Sequence, residues 1–253
     1  MICACVPAFP LVAAAKPFIL DITDLFHGLG VHQMDCCSSR CQGLEATFDR
    51  AEAARKRDDY RRRGPARGTR LLLDALLARG VEGLTLLDIG GGVGAIQHEL
   101  LRAGLAGAVH VDASSAYLEV CQEEAERQGH ADRVRHVYGD FVFLAPEVPP
   151  ADIVTLDRVI CCYPDMPALV GLSAARARRW YGLVFPRDGW WLRLVGVVVN
   201  FVERFRQDPL PFYIHRTAAV DALLRQNGLV RRFYRKTWLW QIMVYERVGA
   251  LGD

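Results

Sequence analysis

Asp88, Asp112, Asp140 and Asp157 each close an apolar run, and the first opens the most informative stretch of the chain, Leu86-Leu87-Asp88-Ile89-Gly90-Gly91-Gly92-Val93-Gly94-Ala95. In that stretch Gly90, Gly92 and Gly94 let the backbone turn tightly and approach a ligand that a Cβ would hold off. A carboxylate beside such a turn can accept from hydroxyls, hold an amine or face a cation. Any one of these acids alone could be a helix N-cap or a solvated strand end. Four at successive strand ends describe a crevice for something small and polar.

The elements that must position them follow from periodicity. Residues 84–89 read as a buried parallel strand and residues 95–103 as the helix after it. Strands are predicted at residues 108–111, 133–138, 152–156 and 181–185, and a tightly joined pair at 229–237 and 240–247. Helices are predicted at 44–62, 66–77 (started by Pro65), 167–178 and 215–227, the last with Thr217 as its cap. The fold class is therefore α/β, and five parallel strands with a closing antiparallel pair resemble a Rossmann-like seven-stranded sheet, a fold whose relatives often carry an N-terminal helical lid. Residues 81–253 form its main domain, residues 34–80 the lid, and residues 1–33 a weakly ordered extension. An insertion at residues 190–212, with Trp190, Trp191, Val197, Phe201 and Phe205, reads as core or pocket wall ahead of membrane-surface docking.

Gly90-x-Gly92-x-x-Ala95 also satisfies the relaxed dinucleotide fingerprint. Three features favour S-adenosylmethionine (SAM) over NAD. Asp88 puts a carboxylate where a pyrophosphate would be repelled but a methionine ammonium could be held through water or backbone contacts. The glycine spacing is tighter than a pyrophosphate loop usually shows. Gly139-Asp140-Phe141 offers a carboxylate to an exocyclic amine and a ring to an adenine face. Together these motifs resemble the class I SAM-dependent methyltransferases, over roughly residues 69–248. The resemblance implies that Asp88 and Gly90, Gly91, Gly92 and Gly94 serve the methionine end of SAM. It implies that Asp112, with Ala113, takes the ribose hydroxyls, that Asp140 and Phe141 frame the adenine, and that Asp157 opens the loop facing the sulfonium. The loop Leu156 to Asp165, Leu-Asp-Arg-Val-Ile-Cys-Cys-Tyr-Pro-Asp, stands where base N-methyltransferases carry Asn/Asp-Pro-Pro-Tyr. With residues 181–193 it is similar to bacterial methyltransferases of the magnesium-protoporphyrin O-methyltransferase-like group.

That resemblance implies a small-molecule acceptor with an oxygen or sulfur nucleophile. Tyr163 and His215 are the candidates to orient or deprotonate it, and a thiolate at Cys161 or Cys162 to hold it instead. Two further readings stand beside this one: an RNA methyltransferase, and a catalytically silent SAM-binding partner subunit.

Composition bounds the rest. Of 253 residues 51% are apolar, enough for a large core, and the net charge of +2 demands neither nucleic acid nor a membrane. No apolar run approaches the ~20 residues of a spanning helix, so a cytoplasmic enzyme is expected, its oligomeric state open. Arg50, Arg55, Lys56, Arg57, Arg61, Arg62 and Arg63 lie in one predicted helix with Glu45, Glu52, Asp58 and Asp59. A solvated, ion-paired face is favoured over a nucleic-acid patch, with Tyr60 and an adjacent arginine placed to touch the methionine carboxylate. The chain has eight cysteines. Cys36, Cys37 and Cys41 before the lid and Cys161 and Cys162 beside the crevice are the candidates for zinc or another soft metal, should the lid bring them together. The competing reading makes Cys161 and Cys162 small buried apolar residues.

Overall fold

The structure, a computed structural model, describes residues 45, 47–192, 196–198 and 212–249. The expectations for residues 1–33, for Cys36, Cys37 and Cys41, and for Phe201 and Phe205 lie outside the described residues.

Two helices come first, α1 (Arg50–Arg63) and α2 (Arg67–Leu77). Asp49 caps α1, its carboxylate accepting from Glu52 N at 2.9 Å, so the predicted helix is interrupted at Phe48–Asp49, with Glu45 and Thr47 helical ahead of the break. In α2 the buried Thr69, Leu72, Leu73 and Leu76 recur at helical spacing and form one apolar stripe. The chain then alternates β1 (Thr85–Ile89), α3 (Ala95–Arg102), β2 (Gly107–Asp112), α4 (Ser115–Arg127), β3 (Val134–Tyr138), α5 (Phe141–Leu144), β4 (Ala151–Asp157), α6 (Met166–Arg176) and β5 (Ala177–Pro186). It closes with α7 (Thr217–Gln226), β6 (Leu229–Lys236) and β7 (Trp240–Arg247).

The seven strands lie in the order β3-β2-β1-β4-β5-β7-β6. β1 to β5 pair in parallel, and β7 runs antiparallel between β5 and β6. The order reverses between β1 and β4, and the crevice of an open α/β sheet forms at such a switch point. Alternation along β1 puts Leu87 and Ile89 into the core with α6 and α7, and Leu86 into the core with α2 and α3.

The predicted α/β alternation stands, with shifted boundaries. β5 starts at Ala177 and not at Tyr181, and α6 ends at Arg176, because Ala177 already pairs with Ala151 of β4. Thr217 is not the side-chain cap of α7. Its backbone N–H instead donates to the Asp188 carboxylate at 2.9 Å, so the cap comes from a distant loop.

Candidate functional site

A cavity of about 270 Å³ opens at the carboxyl ends of β1, β2 and β4. The glycine loop forms its floor. Gly90, Gly92 and Gly94 have φ of 61°, 57° and 76°, where a side chain would be strained. Asp112 fixes this loop from β2: its Oδ2 accepts from Gly92 N at 3.0 Å and its Oδ1 from Ser114 N at 2.9 Å. Each of those oxygens keeps a lone pair for a ligand hydroxyl. Ala113 lines the same wall. Asp140 caps α5 and receives the Tyr163 hydroxyl at 2.9 and 3.1 Å, with the buried Phe141 ring beside it. Asp157, at the end of β4, accepts from the Thr69 hydroxyl and pairs with Arg158 Nε at 3.0 Å. Arg158 is the one non-glycine residue with positive φ (62°) among the described residues, and its N–H is held by Val184 O at 2.8 Å.

Asp88 takes a place that sequence reasoning did not give it. It does not line the cavity but lies fully buried behind the loop, as the register partner of His110 on β2 and Thr155 on β4. Thr155 Oγ1 donates to its Oδ1 at 2.7 Å, and its Oδ2 has no hydrogen-bond partner. His110 is in turn in register with His136 on β3. A polar row therefore crosses four strands beneath the glycines, buried at Thr155, Asp88 and His110 and half-buried at His136, and faces Gln97 and Cys121 from α3 and α4. Burial raises the Asp88 carboxyl to about 6, against the pull of His110 and Thr155. Burial alone would lower His110, but Cys121 and Asp112 outweigh it and hold the imidazole well above its ordinary value. Asp88 thus stands behind the glycine loop and not in the cavity wall. The histidines gave no signal in the sequence, because only strand register brings them together.

On the other wall, Tyr163 and Cys162 line the cavity and Cys161 is buried behind them. His215 does not line it. Its Nε2 bonds to the Ile160 carbonyl at 2.8 Å, which makes it a brace for the turn Ile160–Cys162 and not a base in the cavity. Burial lowers its pKa, opposed by bonds to the Ile160 and Tyr163 backbone.

The lid contributes Phe48, Lys56 and Thr69 to the cavity, and α4 contributes Tyr117. None of these four was singled out as a ligand contact, since isolated aromatic and polar residues on helices carry no spacing signature. Tyr60 is placed elsewhere than expected: its hydroxyl donates to Glu99 and accepts from Arg102, and Arg61 pairs with the buried Glu124. Five of the six arginines of α1 are ion-paired, in keeping with the sequence reading, although three have partners on α4: Arg50 with Glu119, Arg57 with Glu123, Arg61 with Glu124. Among the described residues no group of three or more His, Cys, Asp or Glu could hold a metal ion, so Cys161 and Cys162 find no third ligand there. No described helix is long and apolar enough to cross a membrane.

Fold and cavity together define the class I methyltransferase architecture. The O-methyltransferase domain family matches residues 42–172, and the chain belongs to that family. It is 31% identical over 170 residues to the ubiquinone biosynthesis O-methyltransferase of Paramagnetospirillum magneticum, covering 63% of this chain and 64% of that one. It is 35% identical over 98 residues to the 3-amino-4-hydroxybenzoate 4-O-methyltransferase of Streptomyces cremeus, covering 36% and 25%. The matches thus span less than two thirds of either curated relative. Among solved structures, magnesium protoporphyrin IX methyltransferase from Synechocystis with bound SAH superposes with a TM-score of 0.62 at 20% identity, over 81% of this chain and 98% of that one.

Proposed function

We propose that the chain is a SAM-dependent O-methyltransferase acting on a small molecule, with a phenol as the preferred acceptor class. The observation that carries this reading is the cavity itself: a glycine floor over β1, with Asp112, Asp140 and Asp157 around it. The donor set fits SAM. Asp112 has lone pairs for two ribose hydroxyls, Asp140 and Phe141 offer an acceptor and a ring to adenine, and the surrounding carboxylates favour a cation. SAM, when bound, supplies an electrophilic methyl group on a sulfonium.

The chain's own residues do the rest. The largely apolar wall excludes water, and the braced turn that carries Cys162 and leads into Tyr163 fixes the acceptor side, so alignment supplies much of the acceleration. Asp157, held by Thr69 and Arg158, is the carboxylate nearest the loop after β4 and the group to receive a phenolic proton. Tyr163 acts through Asp140, which it hydrogen-bonds. The names of the two curated relatives support an aromatic hydroxyl acceptor.

The test is calorimetry of SAM binding followed by transfer of labelled methyl groups to a panel of phenols, carboxylates and thiols. SAM is expected to bind, and Asp112→Ala and Gly92→Val each to reduce that affinity at least ~100-fold, through the lost ribose contact and the space the ligand needs. Unchanged affinity in both variants, or binding of NADH in place of SAM, overturns the reading.

A further inference from the structure

The turn Ile160–Cys162 presents two sulfurs side by side. Cys161 Sγ and Cys162 Sγ are 3.8 Å apart, and neither residue is in a disulfide. Cys162 lines the cavity, while Cys161 is 2% exposed behind it and donates its thiol proton to the Arg158 carbonyl at 3.3 Å. The backbone under them is pinned from outside the turn: Tyr213 N donates to Cys161 O at 2.7 Å and His215 Nε2 bonds to Ile160 O at 2.8 Å. The hydrogen-bonded neighbouring sulfur and then burial hold the Cys161 thiol well above its ordinary value, so it is no standing thiolate and no base.

Direct closure of this pair is disfavoured. Adjacent Cα atoms across a trans peptide are about 3.8 Å apart, below the roughly 4.4–6.8 Å that disulfides span. A single soft atom between the sulfurs removes that conflict. Two bonds of about 2.3 Å, the length of sulfur on zinc, meeting at roughly 100–110°, put the sulfurs ~3.5–3.8 Å apart. The observed 3.8 Å matches that span without moving the turn. Among the described residues no third protein ligand joins the two sulfurs, and the cavity beside Cys162 is largely apolar, with Val159 and Leu169 in its wall, which suits a bridging atom whose one further substituent is carbon.

We propose that Cys161 and Cys162 form a two-sulfur capture site for a trivalent organoarsenical, with arsenic bridging the sulfurs and its single carbon substituent directed into the cavity. An arsenoso compound, R–As=O, reacts with the two thiols to give R–As(S)₂ and water. Two As–S bonds form, the arsenic–oxygen bond breaks, and both thiol protons leave with that oxygen. Arsenic stays trivalent and no electrons are exchanged. The site stands on the geometry of the turn and is independent of whether SAM is the donor.

The test uses the full chain with Cys3, Cys5, Cys36, Cys37 and Cys41 replaced by serine, and phenylarsine oxide as the probe. One equivalent is expected to bind, to resist excess glutathione and to be released by dithiothreitol, with peptide mapping placing it on residues 161–162. Cys161→Ser and Cys162→Ser are each expected to weaken capture by about 100-fold, the loss of an intramolecular second bond. Melting temperatures of the variants show whether the fold is kept. Should a variant fail to fold, the glutathione challenge on the background chain still decides. Capture that is unaffected by either substitution, or that glutathione displaces readily, overturns the proposal. SAM calorimetry on the same samples reads the donor site separately.

Discussion

Gly91 lies directly over Asp88: a Cβ built on it would sit 2.5 Å from Asp88 Oδ2 and 2.8 Å from His110 Cε1. The glycine is required not by its own dihedral but by what is beneath it. Gly91→Ala is expected to destabilise the protein by ~1–3 kcal/mol and to weaken SAM binding, as overpacking displaces the loop. Asp88→Ala in the Gly91→Ala background is expected to restore part of the melting temperature, since it removes the nearer of the two obstacles. Additive losses in the double variant would show that the two residues do not meet.

Asp88 also sets a pH dependence. Burial raises its carboxyl to about 6, above the unfolded value of about 4, so the native state holds a proton that the unfolded chain has released. Its contribution to stability is present below about pH 4 and is lost as pH rises through about 6. Asp88→Asn, which cannot ionise, is expected to flatten the stability profile across that window. Denaturant titrations at successive pH values check it, and an unchanged slope would refute the assignment.

The opposite sign holds at Glu124, whose side chain is wholly buried between α4 and α1. Burial alone would raise it, but bonds from Arg127, Gln128 and Arg61 pull it down to about 2. Its stabilisation is present above about pH 4.5 and is lost as pH falls toward 2. Glu124→Gln is expected to lower the melting temperature at pH 7 and to narrow its gap from the parent chain at pH 3, as thermal scans would read.

Tyr163→Phe separates the proposed positioning role from proton transfer. Without the hydroxyl, Asp140 loses a bond at 2.9 Å, and a bond to a buried carboxylate is worth roughly 1.5–3 kcal/mol. The expected result is a rise of about tenfold in the KM for SAM with kcat nearly unchanged. A fall in kcat with KM constant would make Tyr163 a catalytic residue instead.

The glycine floor and acidic wall of the cavity were legible in the sequence because local chemistry encodes them. The glycines announce a turn, and Asp112, Asp140 and Asp157 terminate apolar runs that can only be strands. The acceptor half was legible only in part. Tyr163 and Cys162 were visible from the loop after β4, but His215 seemed a base until the structure tied its Nε2 to the Ile160 carbonyl, a contact across 55 residues. Thr69, Lys56 and Tyr117 reach the cavity from helices whose faces are chosen by packing, which spacing alone does not specify. The polar row of Thr155, Asp88, His110 and His136 depends wholly on strand register.

The place of β7 between β5 and β6 bears on how the molecule is made. As the chain leaves the ribosome, β1 to β5 emerge in an order that lets each find its parallel neighbour, but β6 emerges with nothing to pair with. Among the described residues it pairs as a strand only with β7, which must first add to β5. Until Trp240–Arg247 is synthesised, the edge of β5 stays open and β6 lacks its strand partner. A stall in translation before that point leaves a donor pocket already shaped and a bare strand edge, the state most in need of a chaperone.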